Sequence, residues 1–270
     1  MLNTQLRFGC IGVGGMGGAL INGVVGNVLP AENVWIVDVD KARVDALCNQ
    51  LGVHRAESVA ELMEQVTCVL YAAKPVHVAG IFPEIASALQ PSHWLISIAA
   101  GVSTQKLESY FSTPPPIVRV MPNITVAVKA AISAIAAGSR ATNEHISLAQ
   151  DIFNAVGKSL IVEEKYLDAV TGLSGSGPAF VFLFIEALID AGVQVGLSRQ
   201  HAHQFAVSTV LGASKMLEET GEHPAVLKNM VTTPGGTTAA GLYELELGRL
   251  RAVVADAVIS ATRRAEELSD

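Results

Sequence analysis

Over its first 163 residues the chain alternates short apolar runs with longer segments whose apolar positions recur every three or four residues. The first pattern predicts buried strands and the second amphipathic helices. The runs read as strands are LRFGCIG (6–12), NVWIVDVD (33–40), VTCVLYAAKP (66–75), HWLISIAAG (93–101) and PIVRVMPN (116–123). Helices are predicted through MGGALINGVV (16–25) and KARVDALCNQLG (41–52). Repeated strand–helix units imply a parallel sheet covered on both faces. AISAIAAG (131–138) and KSLIVEE (158–164) read as later edge strands of the same sheet. After about Glu164 the alternation stops. Ala179–Val193, Arg199–Glu218 and Arg249–Leu268 keep a helical period, and no further strand is predicted. The reading is an α/β domain over residues 1–163 followed by an all-α domain over 164–270.

Half of the residues are apolar and 16% are charged, which predicts a large buried core. The positive mean hydropathy adds that some apolar surface is hidden by another subunit. The most apolar stretch, GPAFVFLFIEALIDAGVQVGL (177–197), is interrupted by Glu186 and Asp190. It is read as a buried helix, and no membrane partner is expected. A net charge of -7 weighs against nucleic acid as a partner, although backbone amides can still bind a phosphate locally. The three cysteines, Cys10, Cys48 and Cys68, lack metal-like spacing and read as inert thiols of a reducing compartment. With no basic leader ahead of the first strand, a cytoplasmic protein is expected.

The turn after the first strand, IGVGGMG, sets Gly12, Gly14 and Gly17 in G-x-G-x-x-G register. Glycine permits the tight turn at the first position, lets backbone approach a pyrophosphate at the second, and lets helix and strand close up at the third. The motif follows a strand, opens a helix, and precedes a second strand ending in Asp38. That is the context of a Rossmann-type dinucleotide-binding domain. Asp38 can bind ribose hydroxyls, which favours NAD(H), whereas Lys41 and Arg43 nearby can hold the 2′-phosphate of NADP(H). All three also fit as solvated charges at a helix start.

TTPGGTTAAG (232–241) reads as a tight turn, lined with hydroxyls, that opens a helix. Such amides and threonines can bind a small anion; alternatively, Thr233 or Thr237 caps the helix. His201 and His203 stand two apart on a helix and make a poor metal pair, and no metal is expected. His223, before Pro224, reads as a helix cap. In SGSGPAF the serines read as capping a helix with Pro178 in its first turn. Glu186 and Asp190 share a helix face and read as a polar stripe.

The chain resembles the Δ1-pyrroline-5-carboxylate reductases over nearly its whole length. The resemblance rests on IGVGGMG (Ile11–Gly17), AAKP (Ala72–Pro75), SIAAGV (Ser97–Val102), RVMPN (Arg119–Asn123), DAVTGLSGSGPAF (Asp168–Phe180), GEHPAVLK (Gly221–Lys228) and TTPGGTTAAG. It implies an N-terminal dinucleotide-binding domain and a helical domain that interlocks with that of a second subunit, in a homodimer or a multiple of dimers. It implies reduction of a cyclic imino acid, 1-pyrroline-5-carboxylate, to L-proline by NADPH or NADH. The dinucleotide contacts it implies are Ile11, Gly12, Val13, Gly14, Gly15, Met16, Gly17, Asp38, Ala72, Ala73, Lys74, Pro75, Ala100 and Asn123. By the same resemblance the amides around Gly236 and Thr237 hold the substrate carboxylate, with Thr233 nearby. The Thr238 hydroxyl then bonds the imine nitrogen and is the catalytic candidate, and Glu164 lies near the substrate, offsetting the iminium charge. Many relatives end the second strand in neutral or Asn-Arg-like residues where this chain has Asp38, so the choice between NADPH and NADH stays open. Two other readings are a two-domain dehydrogenase of the β-hydroxyacid type, with Lys165 and Lys215 as candidates, and a non-catalytic nucleotide-binding subunit.

Overall fold

Parallel neighbours require crossover connections, and the chain supplies a helix after most of its strands. The computed structural model describes residues 3–269. Its elements begin with β1 (Phe8–Ile11), α1 (Gly15–Val24), β2 (Val34–Val37), α2 (Lys41–Leu51), β3 (His54–Arg55), α3 (Val59–Gln65), β4 (Cys68–Tyr71) and α4 (Val78–Ser87). They continue with β5 (Trp94–Ser97), α5 (Thr104–Glu108), β6 (Ile117–Met121), β7 (Ala131–Ala137), α6 (Asn143–Asn154) and β8 (Gly157–Ile161). The strands form one sheet in the order β3-β2-β1-β4-β5-β6-β7-β8. The β6–β7 pair is antiparallel and every other pair is parallel. The link between β6 and β7 holds a 3₁₀ stretch, Ile124–Val128, and no α-helix, so the chain returns without a crossover.

The five strands expected from their apolar runs are β1, β2, β4, β5 and β6. β7, expected at an edge, lies inside the sheet between β6 and β8, and its burial on both sides suits that place. Side chains alternate across the pleat. Phe8, Cys10, Leu70 and Ile96 pack with Leu20 of α1 and Phe153 of α6 on one face. Ile11, Val69, Tyr71 and Leu95 pack with Leu62 of α3 and Phe82 of α4 on the other. Strand order reverses where β1 lies between β2 and β4, so the crevice at the carboxyl ends of β1 and β4 is where such sheets bind ligands.

Beyond β8 come α7 (Leu167–Val170), a π-helical turn (Thr171–Gly175), α8 (Gly177–Gln194), α9 (Arg199–Thr220), α10 (Pro224–Met230), α11 (Thr237–Leu247) and α12 (Leu250–Ser269). The chain divides into two compact units. One takes the residues up to Ser176 and again from Ser260; the other is Gly177–Ile259. The change of periodicity lies at 163/164, whereas the first unit keeps the segment beyond it, whose Glu164 and Asp168 pair with Arg119 of β6. The serines of SGSGPAF do not cap α8, contrary to expectation. The chain is already helical from Glu164, and Ser174 Oγ donates back to the Val170 carbonyl.

In the second unit, among the described residues, only Ala202 and Ala206 of α9 are buried apolar side chains. α8 is one 18-residue helix, as the sequence suggested, but it buries none of its side chains in the single chain. Phe182 is 61% and Leu183 68% exposed. The expectation of a buried helix is therefore not met by one chain alone, because no second apolar layer covers α8. By length and composition the run Glu164–Gln194 is also sufficient to cross a bilayer. α8 and α9 close on each other at Gly192, where a Cβ would lie 2.9 Å from that of Ala202, and an Arg199–Asp190 ion pair at 3.0 Å ties their ends.

Candidate functional site

The glycine turn of the first unit divides its glycines between two tasks. Gly12 has φ +92°, and a Cβ there would lie 2.7 Å from the Ala73 amide nitrogen. A Cβ at Gly17 would collide with the Gly12 carbonyl oxygen. These two let β1, α1 and the backbone after β4 close up. Gly14 and Gly15 instead face open space: a Cβ at Gly15 meets nothing within 4 Å, and one at Gly14 meets only Arg43 Nη1, 3.7 Å away. The cap of α1 is Gly14 itself, which offers no side chain to the first amides. This is a cradle suited to a pyrophosphate, so a dinucleotide fits the residues present. Ile11 and Val13 bury their side chains and can contribute only backbone, and Met16 is packed partly against the core. The Ala72 amide donates to the Ile11 carbonyl at 2.8 Å, and Lys74 and Pro75 are exposed. Tyr71, whose phenol burial pushes up to about 12, donates to the Lys74 carbonyl at 3.1 Å.

Asp38, just past β2, is tied to the same turn. Its Oδ2 accepts the Val13 amide at 2.7 Å and its Oδ1 the Asp40 amide at 3.0 Å. The carboxylate thus braces the glycine turn. Lys41 pairs with Glu57 and Arg43 with Asp40, each at 3.2 Å. Arg43 is the cation that also reaches Gly14.

After β5 the chain passes exposed Ala100 and Gly101, which has φ +72°. A Cβ at Gly101 would lie 3.0 Å from the Leu268 carbonyl oxygen, near the end of α12. Asn123 is buried and commits its side chain within the unit. Its Nδ2 donates to the Ser174 carbonyl at 3.2 Å, and its Oδ1 accepts the Thr125 hydroxyl at 2.6 Å. Both oxygens of Glu164 are engaged as well: Oε1 accepts the Thr104 amide at 2.7 Å, and Oε2 accepts the Thr104 hydroxyl at 2.5 Å. Arg119, 5% exposed, meets Glu164 at 3.1 Å and Asp168 at 3.7 Å. Arg119 carried no assigned role in the sequence. Its signal is a lone cation inside the apolar strand IVRVM, which demands a buried anion.

The hydroxyl-rich loop of the second unit is a reverse turn followed by a bare helix start. The Gly236 amide donates to the Thr233 carbonyl at 3.0 Å. Pro234 and Gly235, with φ +67° at Gly235, fill the two central positions of a type II turn. A Cβ at Gly236 would collide with the Thr233 hydroxyl. The cap of α11 is Gly236 with no side-chain hydrogen bond, so neither Thr233 nor Thr237 caps it. Thr232 does not face the turn either; its hydroxyl donates to the Lys228 carbonyl at 2.7 Å. The hydroxyls of Thr237 and Thr238 have no hydrogen-bond partner among the described residues. Free amides and free hydroxyls at one helix start can bind a small carboxylate and one further polar atom. The turn opening α10 is different: there His223 does cap, accepting the Ala225 amide at 3.2 Å.

The family profile described as "Pyrroline-5-carboxylate reductase dimerisation" matches residues 164–268. A second profile, "NADP oxidoreductase coenzyme F420-dependent", matches residues 7–101. A pyrroline-5-carboxylate reductase of Arabidopsis thaliana is 42% identical over 266 residues, covering 98% of this chain and 96% of that protein. Among solved structures, a pyrroline-5-carboxylate reductase from Coxiella burnetii superimposes with a TM-score of 0.93 at 32% identity, covering 99% of this chain and 100% of its own. The Plasmodium falciparum pyrroline carboxylate reductase with NADP bound gives 0.89 at 31% identity, over 98% and 99% of the two chains.

Proposed function

The chain belongs to the pyrroline-5-carboxylate reductase family, and from that premise we propose how its residues serve the reaction. The enzyme reduces 1-pyrroline-5-carboxylate to L-proline, the last step of proline biosynthesis, with NADPH or NADH as reductant. It self-associates through its helical part.

When bound, the dinucleotide supplies the hydride. Gly14, Gly15 and the first amides of α1 hold its pyrophosphate, Asp38 and Arg43 face its adenosine ribose, and the exposed backbone at Ala100 walls its nicotinamide. Imine reduction also needs a proton on nitrogen, and a pyrroline nitrogen takes one from water near neutrality. The chain therefore needs little acid–base machinery, and orientation carries most of the task. The Gly236–Thr238 amides take the substrate carboxylate. The Thr238 hydroxyl hydrogen-bonds the ring nitrogen and fixes which face of the ring is presented. The observation that supports this assignment most directly is the uncapped start of α11 beside unpartnered Thr237 and Thr238 hydroxyls.

Asp38 sets the cofactor balance in this reading. A 2′-phosphate beside its carboxylate is repelled, while ribose hydroxyls are accepted, so NADH serves at least as well as NADPH. The test is steady-state reduction of pyrroline-5-carboxylate with the two cofactors side by side, in wild type and in Asp38→Ser. Comparable use in wild type and a shift toward NADPH in the variant are expected. A wild-type preference for NADPH of about a hundredfold, or about 2.7 kcal/mol, contradicts the role given to Asp38. The assembly we propose is a homodimer or a multiple of dimers. A cytoplasmic location suits the three free thiols, Cys10, Cys48 and Cys68.

A further inference from the structure

A cluster of a buried arginine and two partly buried carboxylates touches none of the cradle glycines, yet it reaches both α5 and the end of α12 beside the loop after β5. Arg119 projects from β6 with 5% exposure. Glu164 meets its guanidinium at 3.1 Å and holds both the amide and the hydroxyl of Thr104, at 2.7 and 2.5 Å. Thr104 is the first residue of α5, directly after the loop 98–103. Asp168 stands 3.7 Å from Arg119 and accepts the Ser269 hydroxyl at 3.1 Å. One residue earlier in α12, the Leu268 carbonyl lies close beside Gly101 of the same loop, 3.0 Å from where a Cβ would stand. The loop is thus held at its far end by Glu164 and flanked by the last turn of α12, whose Ser269 is bonded to Asp168.

We propose that Glu164 is a positioning residue: through Thr104 and Arg119 it fixes the loop carrying Ala100 against the nicotinamide half of the cofactor, and it does not bind substrate. This deepens the reading above, because it rests on that loop being the nicotinamide wall. The physical case is that both Glu164 oxygens are already accepting. Two strong donors sit on Oε1, and the Thr104 hydroxyl sits on Oε2. Unlike Asp38, which accepts only neutral amides, Glu164 already has its charge met by the Arg119 guanidinium, which leaves it little to offset an iminium. Ile98, Ala99 and Val102 pack the rest of the loop against the core, so the exposed Ala100 and left-handed Gly101 are the part whose placement follows from how α5 is held behind them. Loss of the anchor releases the loop while the glycine turn, braced independently by Asp38, keeps the adenosine half.

The experiment is equilibrium binding of NADP⁺ and of 2′,5′-ADP, which lacks the nicotinamide, its ribose and the phosphate next to them, to wild type, Glu164→Gln, Thr104→Val and Ala100→Leu, with KM for pyrroline-5-carboxylate measured alongside. Glu164→Gln is expected to weaken NADP⁺ by about tenfold, the worth of one charged hydrogen bond. It is expected to leave 2′,5′-ADP within about twofold. Thr104→Val, which keeps the amide contact and removes one hydroxyl, should show the same split at smaller size. It also serves if Glu164→Gln does not fold. Parallel losses on both ligands mark Glu164 as merely structural and overturn the proposal. A raised substrate KM with unchanged NADP⁺ affinity overturns it in favour of substrate contact. Ala100→Leu separates the underlying reading: if it leaves NADP⁺ binding untouched, the loop is not the nicotinamide wall. If it weakens NADP⁺ while Glu164→Gln and Thr104→Val do not, the wall stands and the positioning role falls.

Discussion

Thr238 is half-buried at the second position of α11 with an unpartnered hydroxyl. A hydrogen bond from that hydroxyl to a charged or polarised ring nitrogen is worth about 1.5–3 kcal/mol. Thr238→Ala is therefore expected to lower kcat/KM for pyrroline-5-carboxylate by about tenfold or more, with dinucleotide affinity and melting temperature nearly unchanged. Thr238→Ser should retain much of the activity. An alanine variant as active as wild type removes Thr238 from the reaction. His93 is an acid-sensitive point of the fold. It is buried, its Nδ1 accepts the Gln90 amide at 2.9 Å, and its Nε2 lies 2.9 Å from the Met63 carbonyl. With Nδ1 accepting, the ring is neutral and carries its hydrogen on Nε2. Burial lowers the His93 pKa from its ordinary 6.5, and His145 is lowered for the same reason. Below about 6.5 the unfolded chain binds a proton that the folded ring resists, so this contribution to stability is full above that value and is lost as pH falls. Melting temperature should drop from about pH 7 to about pH 5, and less steeply in His93→Gln than in wild type. Equal slopes in thermal scans exclude His93 as the source.

Among the elements, the turn 233–236 sets where the first amides of α11 point. Gly235 has φ +67°, a conformation that costs a β-carbon-bearing residue about 1–2 kcal/mol. Gly235→Ala is expected to lower stability by about that amount and to raise the substrate KM, while Gly235→Asn, which tolerates the left-handed region, is milder. Unchanged KM in both variants would show that the turn does not shape the substrate site. Features of this local kind were legible in the sequence, since backbone that must adopt positive φ or approach closely leaves glycine as its mark. That is why Gly12, Gly17 and Gly235 could be placed, and buried strands such as β1 and β4 announced themselves as apolar runs. β3 could not be read, because two residues have no period and pair only through β2. The interior position of β7 depends on a link without a helix, which no local residue declares. The Glu164 cluster escaped for the same reason: its partners Thr104 and Arg119 lie 60 and 45 residues away in sequence. Asn123 entered the cofactor site through the resemblance alone, and its side-chain bonds to Ser174 and Thr125 show only in the fold.

For the whole molecule, the uneven distribution of buried side chains matters most. The α/β part has an apolar layer on each face of its sheet. The helical unit has two buried alanines and leaves Phe182, Leu183, Leu211, Tyr243 and Val253 each more than half exposed. Covering a large apolar side chain contributes about 1.5–3 kcal/mol, so a unit with these residues in water lacks most of what holds an ordinary helical bundle together. In the assembly proposed here, self-association supplies the missing layer and accounts for the apolarity of α8 without a bilayer. Folding of the helical unit and assembly should then be one event. Sedimentation at micromolar concentration should show no folded species of 28.2 kDa, and the melting temperature should rise with protein concentration. Charges set into the exposed face of α8, such as Leu183→Glu, should shift the midpoint of assembly upward and reduce helix content together, leaving dinucleotide binding by the α/β part measurable. A stable, fully helical monomer, in wild type or in that variant, would mean that the helical unit carries enough contacts of its own and that assembly is not what folds it.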